Sequence, residues 1–288
     1  MKNMIRAFAD IDGFKFNASL NGLAVYLDNF AIIEIAKGDP LRRGRFISAL
    51  HSGAELMFSV SNAVELTGPQ GDSLAAVRVM LDEIGPNWFP VELDTIEVVK
   101  REQNGASPSQ SCLSENFIKD FFKARIADYP AGSGKIIYPS GDFFSLGAVL
   151  DWVGPQRDSI RAGITKIADK LVEVVASHRA NYERDPQWLD RRYPVIPFDP
   201  LRRATSVYVN LTRNLILESK SRPLQRNDGL DFCHTVLAAA FANVAALDKH
   251  WKRRVKNLPQ SNEFATIYYA PELDKMVADI ESFVIANK

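Results

Sequence analysis

Four acidic residues share one description. Asp28 directly follows a short apolar run, Glu65 lies on a helical pattern that follows another, Asp231 stands at the start of an Ala-rich helical pattern, and Asp248 follows a third short run. An acid just beyond a strand, or at the opening of a helix, predicts side chains that converge on one crevice although the residues are far apart in sequence. Carboxylates a few ångströms apart repel, and taking even one out of water is costly, so such a group needs a cation. Oxygen donors without a Cys or His cluster favour magnesium or manganese over zinc. Such an ion, or a pair about 3.5–4 Å apart, binds a phosphodiester, lowers the pKa of a water and stabilises the leaving oxygen. The matching reaction is hydrolysis of RNA or DNA.

The elements that must position these acids are legible as short runs and periodic stretches. LAVYL (Leu23 to Leu27) is rich in strand formers and passes through Asp28 into the helical pattern NFAIIEIAKGD. After Gly38-Asp39-Pro40, RRGRFISALHSGAEL has helical spacing, and Leu56, Met57 and Phe58 predict a second strand. Ser59 and Ser61 offer hydroxyls to cap the helix carrying Glu65. Residues 85–223 read as a mainly helical insertion, with helical patterns at roughly 114–128 and 155–184 and loop signals at Asn104 to Ser111 and Pro130 to Gly134. Regularity returns with NDGLDFCHTVLAAAFANVAALDKHW, an apolar helix followed by a short run ending in Asp248, and with TIYYAPELDKMVADIESFV, a strand and an amphipathic helix. Strands alternating with helices predict an α/β fold with a parallel sheet covered on both faces. Ligands of such sheets sit beyond the carboxyl ends of the strands, where Asp28 and Asp248 fall.

At these positions the chain resembles the PIN-domain family of metal-dependent nucleases. The matching text is VYLDNFAIIEIAK with Asp28, MFSVSNAVEL with Ser59 and Glu65, NDGLDFCHTVLAAA with Asp228 and Asp231, and ALDKHW with Asp248. The resemblance implies one three-layer PIN-like domain over 1–288, its core from 22–84 and 224–285, carrying the insertion at 85–223. It implies Asp28, Glu65, Asp231 and Asp248 as catalytic acids and ligands of magnesium or manganese, with Asn29 and Ser59 orienting a carboxylate or water and Asp228 as a further acid. The implied activity is that of an endoribonuclease acting on single-stranded or structured RNA. The last motif reads Ala-Leu-Asp where many members carry Thr-Asn-Asp or Thr-Asp-Asp, and the insertion makes the chain about twice the size of the small toxin-type members.

Each acid also has a purely structural reading. Asp28 and Asp228 are good N-caps, Asp231 fits the third position of a capping box, Glu65 fits a helix N-terminal turn, and Asp248 fits an ordinary turn. His234, one helical turn from Asp231, would hydrogen-bond a ligand carboxylate or simply be a buried helix histidine. His51, His178 and His250 are not paired at metal-ligand spacing.

Lys+Arg and Asp+Glu are equal at 35 each, so only local charge bears on nucleic acid. Between Arg191 and Arg226 eight basic residues, among them Lys220 and Arg222, stand against Asp199 and Glu218. Lys249, Lys252, Arg253, Arg254 and Lys256 follow Asp248 without an intervening acid. Lys249, Lys252, Arg253 and Arg226 are the expected phosphate contacts, with Trp251, Tyr193 or Tyr208 to stack on bases. Two cysteines are too few for a disulfide framework, no apolar stretch spans a membrane, and the first residues carry acids where a secretory signal would be apolar, so a cytoplasmic protein is expected. The insertion is open to roles as a lid, a partner-docking surface or a dimer interface.

Two other functions compete. One is a catalytically degenerate PIN-like nucleic-acid-binding or scaffold protein, suggested by the altered last motif. The other is a phosphatase of the haloacid-dehalogenase type, which needs a second Asp two residues after the first, where this chain has Phe30.

Overall fold

Apolar runs too short for helices become the strands of a parallel sheet. The computed structural model describes residues 5–10, 13–20, 22–68, 71, 73–125, 136–137, 144–218 and 223–286. The chain begins with β1 (Ile5–Asp10) and β2 (Gly13–Ala18), then β3 (Leu23–Leu27), α1 (Asn29–Lys37), α2 (Pro40–His51), β4 (Ala54–Ser59), α3 (Val60–Leu66), α4 (Ser73–Ile84) and β5 (Trp88–Val91). It continues through α5 (Thr95–Gln103), α6 (Pro108–Cys112), α7 (Glu115–Arg125), β6 (Ile136–Ile137), α8 (Leu146–Val153), α9 (Arg157–Arg184), α10 (Pro186–Arg192) and α11 (Arg203–Leu217). It closes with α12 (Arg226–Phe241), β7 (Val244–Ala246), α13 (Lys249–Lys256), β8 (Thr266–Tyr268) and α14 (Leu273–Ala286).

The main sheet is parallel throughout, in the order β5-β4-β3-β7-β8. Every residue of β4, β5 and β7 is buried, as expected for strands covered on both faces. The chain starts this sheet at its centre, winds outward through β4 and β5, and returns to the other side of β3 with β7 and β8. The winding direction therefore reverses between β3 and β7, where connections leave in opposite directions and open a crevice. The backbone N–H of Asp28 donates to the Ala246 carbonyl at 3.0 Å, which ties the two strand ends bordering that crevice.

The α/β sheet flanked by helices agrees with the sequence expectation, and its extent differs in two ways. Strand β5 belongs to the stretch assigned to the insertion, yet it pairs with β4 in register from Leu56 with Trp88 to Ser59 with Val91. A second, antiparallel sheet in the order β2-β1-β6 was not anticipated, and it packs through β2 against α6 and α7. The remaining stretch is mainly helical. The loop expected at Pro130 to Gly134, the end of the helix expected over 114–128, and Lys220 and Arg222 lie outside the described residues. Both cysteines are buried and unpaired. Among the described residues no helix is long and apolar enough to cross a membrane.

The helical stretch is joined to the sheet-covering α12 by a close contact. A Cβ built on Gly229 of α12 would lie 2.6 Å from the carbonyl oxygen of Ala168 in α9, so the two helices meet backbone to backbone. Gly229→Ala is expected to destabilise the protein by ~1–3 kcal/mol, the usual scale of overpacking. A lower urea midpoint at unchanged slope is the corresponding reading, and an unshifted midpoint would mean that the helices separate at little cost.

Candidate functional site

The crevice between β3 and β7 is edged by helix caps. Asp28 follows β3 at once and accepts a hydrogen bond from the Asn29 amide at 2.8 Å, capping α1. Asp248 stands two residues beyond β7 and accepts from the Trp251 amide at 2.8 Å, capping α13. Trp251 also donates its indole Nε1 to Asp231 Oδ2 at 3.3 Å, so one residue holds two of the expected acids. The capping reading of Asp28 is thus correct and does not compete with the site reading, since a capping carboxylate keeps a second oxygen.

Electrostatics show which acids are brought together. Burial pushes the Asp28 carboxyl up to about 6, assisted by the charge of Asp248 and opposed by the hydrogen bond from Asn29. Asp231 is pushed up to about 7 by burial first, then by the charges of Asp28, Asp248 and Glu65, against the hydrogen bond from Trp251. All four expected acids therefore share one field, as convergence requires. The set is all carboxylate, which suits magnesium or manganese. Among the described residues, however, no three His, Cys, Asp or Glu side chains are gathered closely enough to hold an ion as they stand.

Glu65 is the most elaborately oriented of the four. Its Oε2 accepts a hydrogen bond from Asn29 Nδ2, and its Oε1 accepts a long one from Ser61 Oγ at 3.4 Å. Asn29 Oδ1 accepts in turn from Asn62 Nδ2 at 3.1 Å, and Asn62 Oδ1 accepts from the Ser59 hydroxyl at 2.8 Å. Ser59 is also the N-cap of α3, its hydroxyl accepting from the Asn62 amide. Asn29 thus touches a site carboxylate directly, as expected, whereas Ser59 acts through Asn62, which sequence reasoning passed over.

His234 fits the reading as a buried helix histidine. It is buried on α12 and hydrogen-bonded through Nδ1 to the Tyr26 hydroxyl and through Nε2 to Ser61 Oγ at 3.3 Å. Because the Ser61 proton goes to Glu65, the consistent assignment is Tyr26 O–H to Nδ1 and Nε2–H to Ser61. Burial lowers the His234 pKa and keeps the ring neutral in this role. The chain of donors runs toward Glu65 rather than Asp231. Asp228 caps α12 as its structural reading expected, from the third position rather than as N-cap: its Oδ2 accepts from the Gln225 amide at 2.7 Å in a capping box.

The expected nucleic-acid contacts divide. Lys249 and Arg253 are exposed on α13 beside Asp248. Lys252 is a correction: it is buried, paired with Glu272, and its Nζ lies 4.8 Å from the centre of the Tyr269 ring. Arg254 is likewise buried against Glu218 and the Trp251 ring. Trp251 and Tyr193 are buried, so neither offers a face to a base, and Tyr208 is half-buried against Phe232. Arg226 gives Nε and Nη2 to Asp169 at 2.7 and 2.9 Å while lining a cleft.

That cleft, about 450 Å³, is lined by Glu65 and Asp231 together with Arg157, Arg161 and Arg226. Arg157 and Arg161 were not singled out from the sequence. Their one signal there is the spacing of four in RDSIR, which only the fold places opposite the acids. Comparison with known proteins finds no matching family, no matching curated protein and no matching solved structure.

Proposed function

We propose that the protein is a metal-dependent nuclease of the PIN type, hydrolysing phosphodiester bonds of RNA. The observation that carries this reading is the placement of Asp28, Glu65, Asp231 and Asp248, from four separate elements, about the reversal point of a parallel sheet, where burial and neighbouring acids raise the proton affinity of Asp28 and Asp231. A magnesium or manganese ion bound by these carboxylates would supply the positive charge that polarises a phosphodiester and a water. The chain's own part is orientation. Trp251 holds Asp231 and Asp248, while Asn29 and Ser61 fix the two oxygens of Glu65. Arginines in the adjoining cleft supply positive charge for the substrate backbone. The motif order shared with PIN domains supports the substrate class.

One observation favours the degenerate binding or scaffold reading: the four acids share a field without three of them forming a ready cage. The same assay separates the two. Purified protein is incubated with labelled single-stranded RNA, double-stranded RNA and single-stranded DNA in manganese, magnesium or EDTA. The expected result is cleavage of single-stranded RNA that EDTA abolishes and added manganese restores. Binding without turnover in either metal would leave the scaffold reading standing instead.

A further inference from the structure

The cleft lined by Glu65 and Asp231 is lined also by two arginines of α9. Arg157 opens that helix and Arg161 follows one turn later on the same face. Arg157 is held in position, its Nε donating to the Val64 carbonyl at 3.0 Å at the end of α3. Gly68 leaves room for it, since a Cβ there would lie 2.7 Å from an Arg157 terminal nitrogen. Arg161 is exposed and has no hydrogen bond or ion pair among the described residues. Arg226, anchored on Asp169, completes the basic side.

We infer that Arg157 and Arg161 hold a backbone phosphate of a single-stranded nucleic acid in the cleft that Glu65 and Asp231 also line. The guanidinium fork matches the geometry of a phosphate, and an arginine that has no partner inside the protein loses none when it takes one. A volume of about 450 Å³ accommodates a nucleotide or two in an extended strand. The inference rests on the nuclease reading for the class of ligand, and on the cleft alone for the residues.

The test is binding, kept separate from turnover. A fluorescein-labelled single-stranded RNA is titrated in EDTA over a series of KCl concentrations with wild-type protein, Arg161→Gln, Arg161→Lys and Lys170→Gln. Lys170 lies nine residues beyond Arg161 and so on the opposite side of α9. Arg161→Gln is expected to bind more weakly and to lower the slope of log affinity against log salt by ~0.7, the value for one lost contact to a single strand. Arg161→Lys is expected to keep that slope, and Lys170→Gln to behave as wild type. An unchanged slope in Arg161→Gln, an equal loss in Lys170→Gln, or no binding by the wild type would overturn the inference. Duplex RNA bound as tightly, with the same dependence on Arg161, would overturn its restriction to single strands. If the wild type never cleaves in metal while the Arg161 effect is seen, the nuclease reading fails and the phosphate wall stands. If it cleaves while Arg161→Gln leaves the slope intact, the reverse holds.

Discussion

Replacing Asp231 by Asn is expected to make the protein more stable and inactive at once. The Asn keeps an acceptor for the Trp251 indole and removes a charge that burial, Asp28, Asp248 and Glu65 all disfavour. The sign follows from proton linkage. A carboxyl whose pKa rises on folding, here from 3.8 to about 7, binds more protons in the folded state, so stability falls as pH climbs through that window and stays low above it. Asp28, raised to about 6, adds to the same trend. At ~1.4 kcal/mol per pKa unit the combined effect is a few kcal/mol, and at ~2–4 °C per kcal/mol the melting temperature should move by several degrees. In EDTA the wild type should therefore melt lower at pH 8 than at pH 5, and Asp231→Asn should recover much of the difference. RNA cleavage by the same variant should drop by ~100-fold or more, the scale set by losing a group in direct support of a metal. Equal melting of variant and wild type at pH 8 would mean that the acids do not repel, and retained cleavage would remove Asp231 from the proposed site.

Truncating Trp88 to Ala should cost ~3–5 kcal/mol and lower the melting temperature by roughly 10 °C. Trp88 is fully buried, stacks on Phe144 at 4.5 Å between ring centres, meets Phe58 edge-on, and donates its indole N–H to the Phe144 carbonyl at 2.8 Å. It lies on β5, whose partner β4 leads through Ser59 into the helix bearing Glu65. A defect there is expected to spread to the whole sheet, seen as one cooperative transition at a lower temperature. Two separated transitions would instead mark the helical stretch as a unit that melts independently of the sheet.

The elements that carry the acids were legible in the sequence because each has a strong local signal. LAVYL before Asp28, the serines before Glu65 and the Ala-rich stretch after Asp231 announce strand, cap and helix without tertiary information. Strand β5 was hidden by Pro90, which argues against a strand in any run that contains it. The fold tolerates it because β5 is at the sheet edge, and the Pro90 carbonyl accepts from the Ser114 amide outside the ladder, on the side where its missing N–H would point. Lys252 and Trp251 look like exposed binding groups in a basic run, yet a helix of eight residues has an inner face, and both lie on it. Arg157 and Arg161 carry no local signal of function at all. They acquire one only when α9 is packed against α3 and α12.

On the proposed nuclease reading, the glycine contact between α12 and α9 bears on how a substrate reaches the acids. At Gly229 two main chains touch with no side chain between them, so the spacing of α9 from α12 there cannot be adjusted by changing rotamers, as it could be at an interface of long side chains. That argues against α9 as the hinged part of a lid and for a slot whose width is set when the protein folds. A slot of fixed width receives a flexible strand without first closing around it, so the entropy lost on binding falls mainly on the nucleic acid. On the proposed nuclease reading, discrimination would then be exercised by stiffness, an unpaired strand bending into the slot more readily than one held straight by base pairing.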